Sequence, residues 1–82
     1  MKNNQQQTEK RANALQSEIK HIYVNVKTGR RVKIERINSQ LVLGSKDNYE
    51  VQVSALELDL NKPHPIHLVE KDDVFFANYQ AN

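Results

Sequence analysis

Apolar and polar residues alternate with two different periods along this chain, and the period changes near residue 22. Upstream, Ala12, Leu15, Ile19 and Ile22 recur at spacings of three, four and three. That spacing sets an apolar stripe on one side of a helix of about four turns. It predicts an amphipathic helix over residues 8–22, with Thr8 as N-cap, Glu9 near the start and Lys20-His21 near the end, a charge order that suits the helix dipole. No capping box accompanies the cap, because Arg11 stands three residues after Thr8 where Glu or Gln would be needed. The preceding MKNNQQQ, residues 1–7, has nothing to bury and is expected to be a disordered polar tail. Two uses of the stripe remain open. Packing against its own domain is favoured; the heptad-like spacing also allows Ala12, Leu15 and Ile19 to form a short dimer seam.

Downstream the period is two. Ile22, Val24 and Val26 alternate with Tyr23 and Asn25, and Val32 and Ile34 alternate with Arg31, Lys33 and Glu35. The Lys27-Thr28-Gly29-Arg30 segment between them reads as a turn in which Gly29 takes positive φ. Together they form a hairpin with one apolar and one polar face. Ile37 breaks the alternation, and a bulge near Arg36 would restore it. A turn at Asn38-Ser39, a strand over residues 40–44 and a turn over Ser45–Asn48 follow. Tyr49, Val51 and Val53 then alternate, and Leu56, Leu58 and Leu60 give a fifth strand after a bend at Ser54-Ala55. Residues 61–65 hold Pro63 and Pro65 and read as a loop. For residues 68–79 a short helix capped by Asp72 or Asp73 is preferred to a hairpin. The expectation is a mainly β domain over residues 23–82: a small five-stranded antiparallel barrel, with the N-terminal helix across one open end.

Composition narrows the functional classes. Eighty-two residues make one small domain with a thin stability margin. There is no Cys, so neither a disulfide nor a thiolate chemistry is possible. No apolar run approaches the length of a membrane span or a signal peptide, and the chain is expected to be cytoplasmic, without membrane contact. Net charge is +2, yet residues 1–36 hold nine Lys/Arg against three Asp/Glu, and residues 37–82 three against seven. Such asymmetry points to a polyanion-binding half, to pairing of copies, or to internal neutralisation.

The stretch YVNVKTGRRVKIERINSQLVLGSKDNYEVQVSALEL resembles a small SH3-like barrel of the Tudor or KOW type. The likeness lies in short strands joined by a Lys-Thr-Gly turn and a Ser-Lys-Asp-Asn turn. The chain is also loosely similar to small prophage-encoded proteins, through Thr28-Gly29-Arg30-Arg31-Val32, Tyr49-Glu50 and Phe75-Phe76. These resemblances imply a binding module carried by a mobile element, and they supply no site residues.

The densest candidate chemistry is VKTGRRVKIER, residues 26–36, in which five of eleven residues are Lys or Arg. Lys27 and Arg30 belong to the turn, Arg31 and Lys33 to the polar face, and Arg36 to either face. Such cations bind phosphates by releasing counterions, or they meet an acidic protein surface. Single-strand binders add exposed aromatics, and the candidate here is Tyr23. Aromatics are few and the overall charge is nearly balanced, so a protein partner is favoured over RNA or DNA. His64, His67 and Glu70 match no metal-site spacing. Ser17, Ser39, Ser45 and Ser54 lack a nucleophile elbow, and Gly29 and Gly44 stand alone with no phosphate loop. No cofactor and no enzymatic activity are expected. Phe75, Phe76 and Tyr79 close the core or, exposed, would anchor a partner. The expected function is a non-enzymatic accessory binding protein of a phage or other mobile element, modulating a host complex by protein contact.

Overall fold

The computed structural model describes residues 4–59 and 66–82. It is mainly β. In chain order come α1 (Gln5–Ala14), a 3-10 turn (Gln16–Glu18), β1 (Ile22–Asn25), β2 (Arg31–Leu41), β3 (Tyr49–Glu57), β4 (His67–Lys71), α2 (Asp72–Asn78) and β5 (Tyr79–Ala81). The strands form one antiparallel sheet in the order β4-β3-β2-β1-β5. Among the described residues β4 and β5 are its two edges, and the sheet is open.

Five strands were expected and five are present, but they are not the same five. The turn propensity of Asn38-Ser39 is overridden: both residues lie inside β2, paired with Gln52 and Val51. The bend expected at Ser54-Ala55 is likewise absent from β3. In each case a longer ladder satisfies more backbone groups than a turn would. The remaining two strands come from the C-terminal segment, which holds the preferred helix, with Lys71 rather than Asp72 or Asp73 at its N-cap, and adds β4 before it and β5 after it. The expected loop 61–65 lies outside the described residues.

A bulge sits where Ile37 required one. The β2–β3 register passes from Ile34↔Ala55 to Arg36↔Ser54, so Glu35 is the extra residue. Without it, Ile37 would fall on the same face as Lys33. With it, Val32, Ile34 and Ile37 all point inward and are essentially fully buried. Val51, Val53 and Ala55 of β3 meet them, and Phe75 from α2 completes the layer. Phe75 stacks on Tyr79 with centroids 4.5 Å apart, and Tyr23 and Phe76 pack against Phe75 edge-on or tilted.

The N-terminal helix forms earlier and ends earlier than the stripe suggested. Residues 5–7 are helical rather than a tail, and Thr8 is not the cap. Asn4 precedes the helix, and its side chain pairs with the backbone of Tyr49: Tyr49 N donates to Oδ1 at 2.6 Å, and Nδ2 donates to Tyr49 O at 2.8 Å. That clasp anchors the first turn to the start of β3. At the other end the α-helix stops at Ala14. Gln16 donates its side-chain amide to Ala12 O and Ile37 O, both at 2.9 Å, and Ile19 is already extended. Ala12 is buried, and Leu15 and Ile19 pack on the core of the same chain. The stripe therefore faces its own sheet, and a dimer seam through Ala12, Leu15 and Ile19 would have to displace those contacts.

Candidate functional site

The hairpin that carries the basic stretch is held by its own polar residues. Asn25 Oδ1 accepts from Lys27 N and Thr28 N at 2.9 and 3.0 Å, and Thr28 Oγ1 accepts from Arg30 N at 3.2 Å. Gly29 adopts φ +74°, the positive value anticipated for this turn. Lys27 and Arg30 thus project from an ordered, exposed loop.

From the turn, β2 carries the remaining cations across the sheet. Val32 and Ile34 point inward, so Arg31 and Lys33 point outward. Beyond the bulge Ile37 points inward, and Arg36 lies on the outer face with Lys33. Register sets their neighbours: Lys33 lies between Ile22 and Leu56, and His67 follows Leu56; Arg36 lies beside Ser54, and Val69 follows Ser54. Val69 is 56% exposed. The outer face therefore sets cations beside the exposed aliphatic Val69.

The five basic residues are not equivalent. Arg31 is engaged by Asp59 from the acidic half of the chain: its backbone N donates to Asp59 Oδ2 at 2.7 Å, and its guanidinium Nε and Nη2 donate to Oδ1 at 3.2 and 3.0 Å. Hydrogen bonds from Arg31 hold the Asp59 carboxyl below the usual carboxylate range, and Asp59 in turn raises Arg31. Arg31 is thus neutralised in place. Lys27, Arg30, Lys33 and Arg36 have no ion-pair partner among the described residues.

Tyr23 does not belong to this face. It is 6% exposed and lies on the inner side, opposite Val32. The phase of β1 is the reverse of the expected one: Tyr23 is buried, Ile22 and Val24 are half-buried, and Val26 is exposed. The reason is size. Tyr23 packs against both Phe75 and Phe76, with centroids 5.6 Å away in each case, and an aromatic ring buries more apolar area than the valine that alternation would place there. Its hydroxyl donates to Glu18 Oε1. Burial foremost, then the hydrogen bond and charge of Glu18, push the Tyr23 hydroxyl up to about 12. Phe75 and Tyr79 are buried in the same cluster and Phe76 packs against it, so the C-terminal aromatics serve the core.

Two further features had no clear sequence signal. Arg11 Nε lies 2.7 Å from Asp72 Oδ2. That oxygen is buried and receives no hydrogen bond, so the contact is close in distance but misaligned in angle, an ion pair without the directional bond. It ties α1 to α2. The second feature is a groove of roughly 480 Å³ between α1 and β2. Among the described residues no cluster of His, Asp and Glu is arranged to hold a metal, and no helix is long and apolar enough to cross a membrane. His64 lies outside the described residues. No family model matches the chain, and no curated protein or solved structure is significantly similar to it, so the functional reading rests on its own residues.

Proposed function

We propose that this protein is a non-enzymatic binding module that modulates a macromolecular complex by docking an acidic protein surface on the outer face of its sheet. One observation carries the reading. Lys27, Arg30, Lys33 and Arg36 stand without counter-ions among the described residues, on an ordered hairpin and strand beside the exposed aliphatic Val69. Charge complementarity steers such encounters and sets their specificity. The same arrangement disfavours single-stranded nucleic acid, whose bases need an aromatic platform; Tyr23, which would have supplied it, is in the core. The strand order, with a short helix joining β4 to β5, supports reading the sheet as an opened SH3-like barrel. A mobile-element setting, with a host complex as target, is the context its resemblances imply.

The experiment is affinity capture with the wild type and with Lys33→Glu/Arg36→Glu, beside a gel-shift on mixed RNA and DNA at about 50 mM salt. Stoichiometric capture of an acidic protein, lost in the double variant and with no nucleic-acid shift, is the expected result. A salt-sensitive nucleic-acid shift lost in the same variant would replace this reading with nucleic-acid binding. Capture unaffected by the double variant would remove the outer face from the account.

A further inference from the structure

We propose a second binding site, independent of the outer face: the groove between α1 and the far half of β2 accepts an extended, cationic segment of another protein as an added strand. The argument begins with hydrogen-bond parity. Val42 N donates to Asn48 O at 2.8 Å. In an antiparallel ladder bonded and non-bonded pairs alternate, so Gln40, Asn38 and Arg36 bond to β3. The N–H and C=O groups of Ile37, Ser39 and Leu41 therefore point away from β3. The clasp at the opposite edge has the same parity, since Asn4 takes both free backbone groups of Tyr49, the partner of Leu41.

On the side to which those groups point, β1 is missing. It pairs with β2 over Arg31–Lys33, and past β1 the chain makes two more backbone bonds to β2, both at Ile34: Ile34 N donates to His21 O at 3.1 Å, and Lys20 N donates to Ile34 O at 2.6 Å. From Ile37 to Leu41 no strand lies on that side of β2 among the described residues. Gln16 occupies one acceptor, Ile37 O. The other groups form an unpaired edge along a groove lined by Glu9, Ala12, Asn13 and Gln16 of α1 and by Ile37 and Ser39 of β2. A backbone edge beside a helix wall is the geometry in which an extended peptide gains main-chain bonds on one side and side-chain contacts on the other.

Charge selects the occupant. Glu9 is the one ionised group lining the groove. It accepts a bond from Gln5 Nε2 at 3.1 Å and is in no ion pair among the described residues. A Lys or Arg on the incoming segment would supply its counter-ion. The remaining walls are amides, a hydroxyl and small aliphatic groups, which suit short polar or β-branched side chains.

The test selects a displayed random library of peptides, each of roughly nine residues, against the full chain. Enriched peptides are then titrated into isotope-labelled protein. The expected peptides are strand-forming with a Lys or Arg, and they shift the amides of Glu9, Ile37, Ser39 and Leu41. Ser39→Pro removes an N–H that the β2–β3 ladder does not use, together with the hydroxyl that pairs with Thr8 Oγ1 at 2.6 Å, and it should weaken binding at least about tenfold relative to Ser39→Ala, which loses the hydroxyl alone. Methylating the peptide amides that face β2 should do the same with the protein unaltered. Glu9→Lys should exchange a preference for cationic peptides for one for acidic peptides. Failure to enrich any peptide, shifts confined to the outer face, or self-association through residues 37–41 that fills the edge with a second copy would each overturn the proposal.

Discussion

Tyr23→Phe separates the burial of the ring from the role of its hydroxyl. The ring stays in the aromatic cluster, while the bond from the hydroxyl to Glu18 is lost. A hydrogen bond to a charged acceptor contributes about 1.5–3 kcal/mol when fully buried. Glu18 is half-exposed, so a loss of about 1–2 kcal/mol is expected near pH 8. The pH dependence is more diagnostic. The folded Tyr23 hydroxyl is raised from 10.0 to about 12, a group whose charged form the fold disfavours. Its contribution is complete below the unfolded value of about 10 and is lost as pH rises through about 12. Urea unfolding of both proteins between about pH 8 and 12 measures the difference directly, and lysine titration common to both cancels. The wild-type advantage should shrink steadily above pH 10. A difference that stays constant to pH 12, or tyrosinate absorbance in which all three tyrosines titrate near 10, would refute the buried placement of Tyr23.

Other consequences follow from single contacts. Asn4→Ala removes both bonds to the Tyr49 backbone and should cost about 1–3 kcal/mol, with hydrogen exchange accelerated across α1 and residues 49–51. Arg11→Ala leaves the buried Asp72 carboxylate without its cation. It should therefore destabilise more than Asp72→Asn, by about 1–2 kcal/mol in chemical denaturation, because a lone buried charge costs more than a neutral amide. Phe75→Ala empties the centre of the core, where the side chain is fully buried. Its cost of about 3–5 kcal/mol approaches the whole stability of a small domain, so calorimetry should show no cooperative transition. The Asp59 carboxyl, lowered by Arg31, should titrate by carbon NMR at lower pH than an unperturbed aspartate. The clamp on Arg31 should be intact above that pH and open as pH falls through the lowered value.

What was legible in the sequence was parity, and what was not was pairing. The hairpin turn at Gly29, the bulge needed before Ile37 and the inward set Val32, Ile34, Val51 and Val53 all follow from local alternation and one glycine. Asn38-Ser39 and Ser54-Ala55 misled because turn propensity is a local quantity, while Asn38-Ser39 are fixed by β3 and Ser54-Ala55 by β2 and β4. Tyr23 misled for a related reason. Alternation counted Ile22, Val24 and Val26 as the apolar set, but the phase was decided by Phe75 and Phe76, more than 50 residues away in the chain. Four of the five basic candidates, Lys27, Arg30, Lys33 and Arg36, have no ion-pair partner among the described residues. The fifth, Arg31, is claimed by Asp59, a neighbour that only the β2–β3 register reveals. The groove beside β2 was invisible because it is defined by where β1 stops.

The outer cationic face is the centre of the functional account, and an amide-shift titration tests it most directly. Labelled protein is mixed in turn with poly-glutamate and with a mixed-sequence oligonucleotide at low salt. Poly-glutamate should move residues 27–36 together with Ser54 and Val69, and those shifts should vanish in Lys33→Glu/Arg36→Glu. Shifts that spread evenly over every lysine and arginine, or that persist in the double variant, would show that this face is ordinary solvated surface.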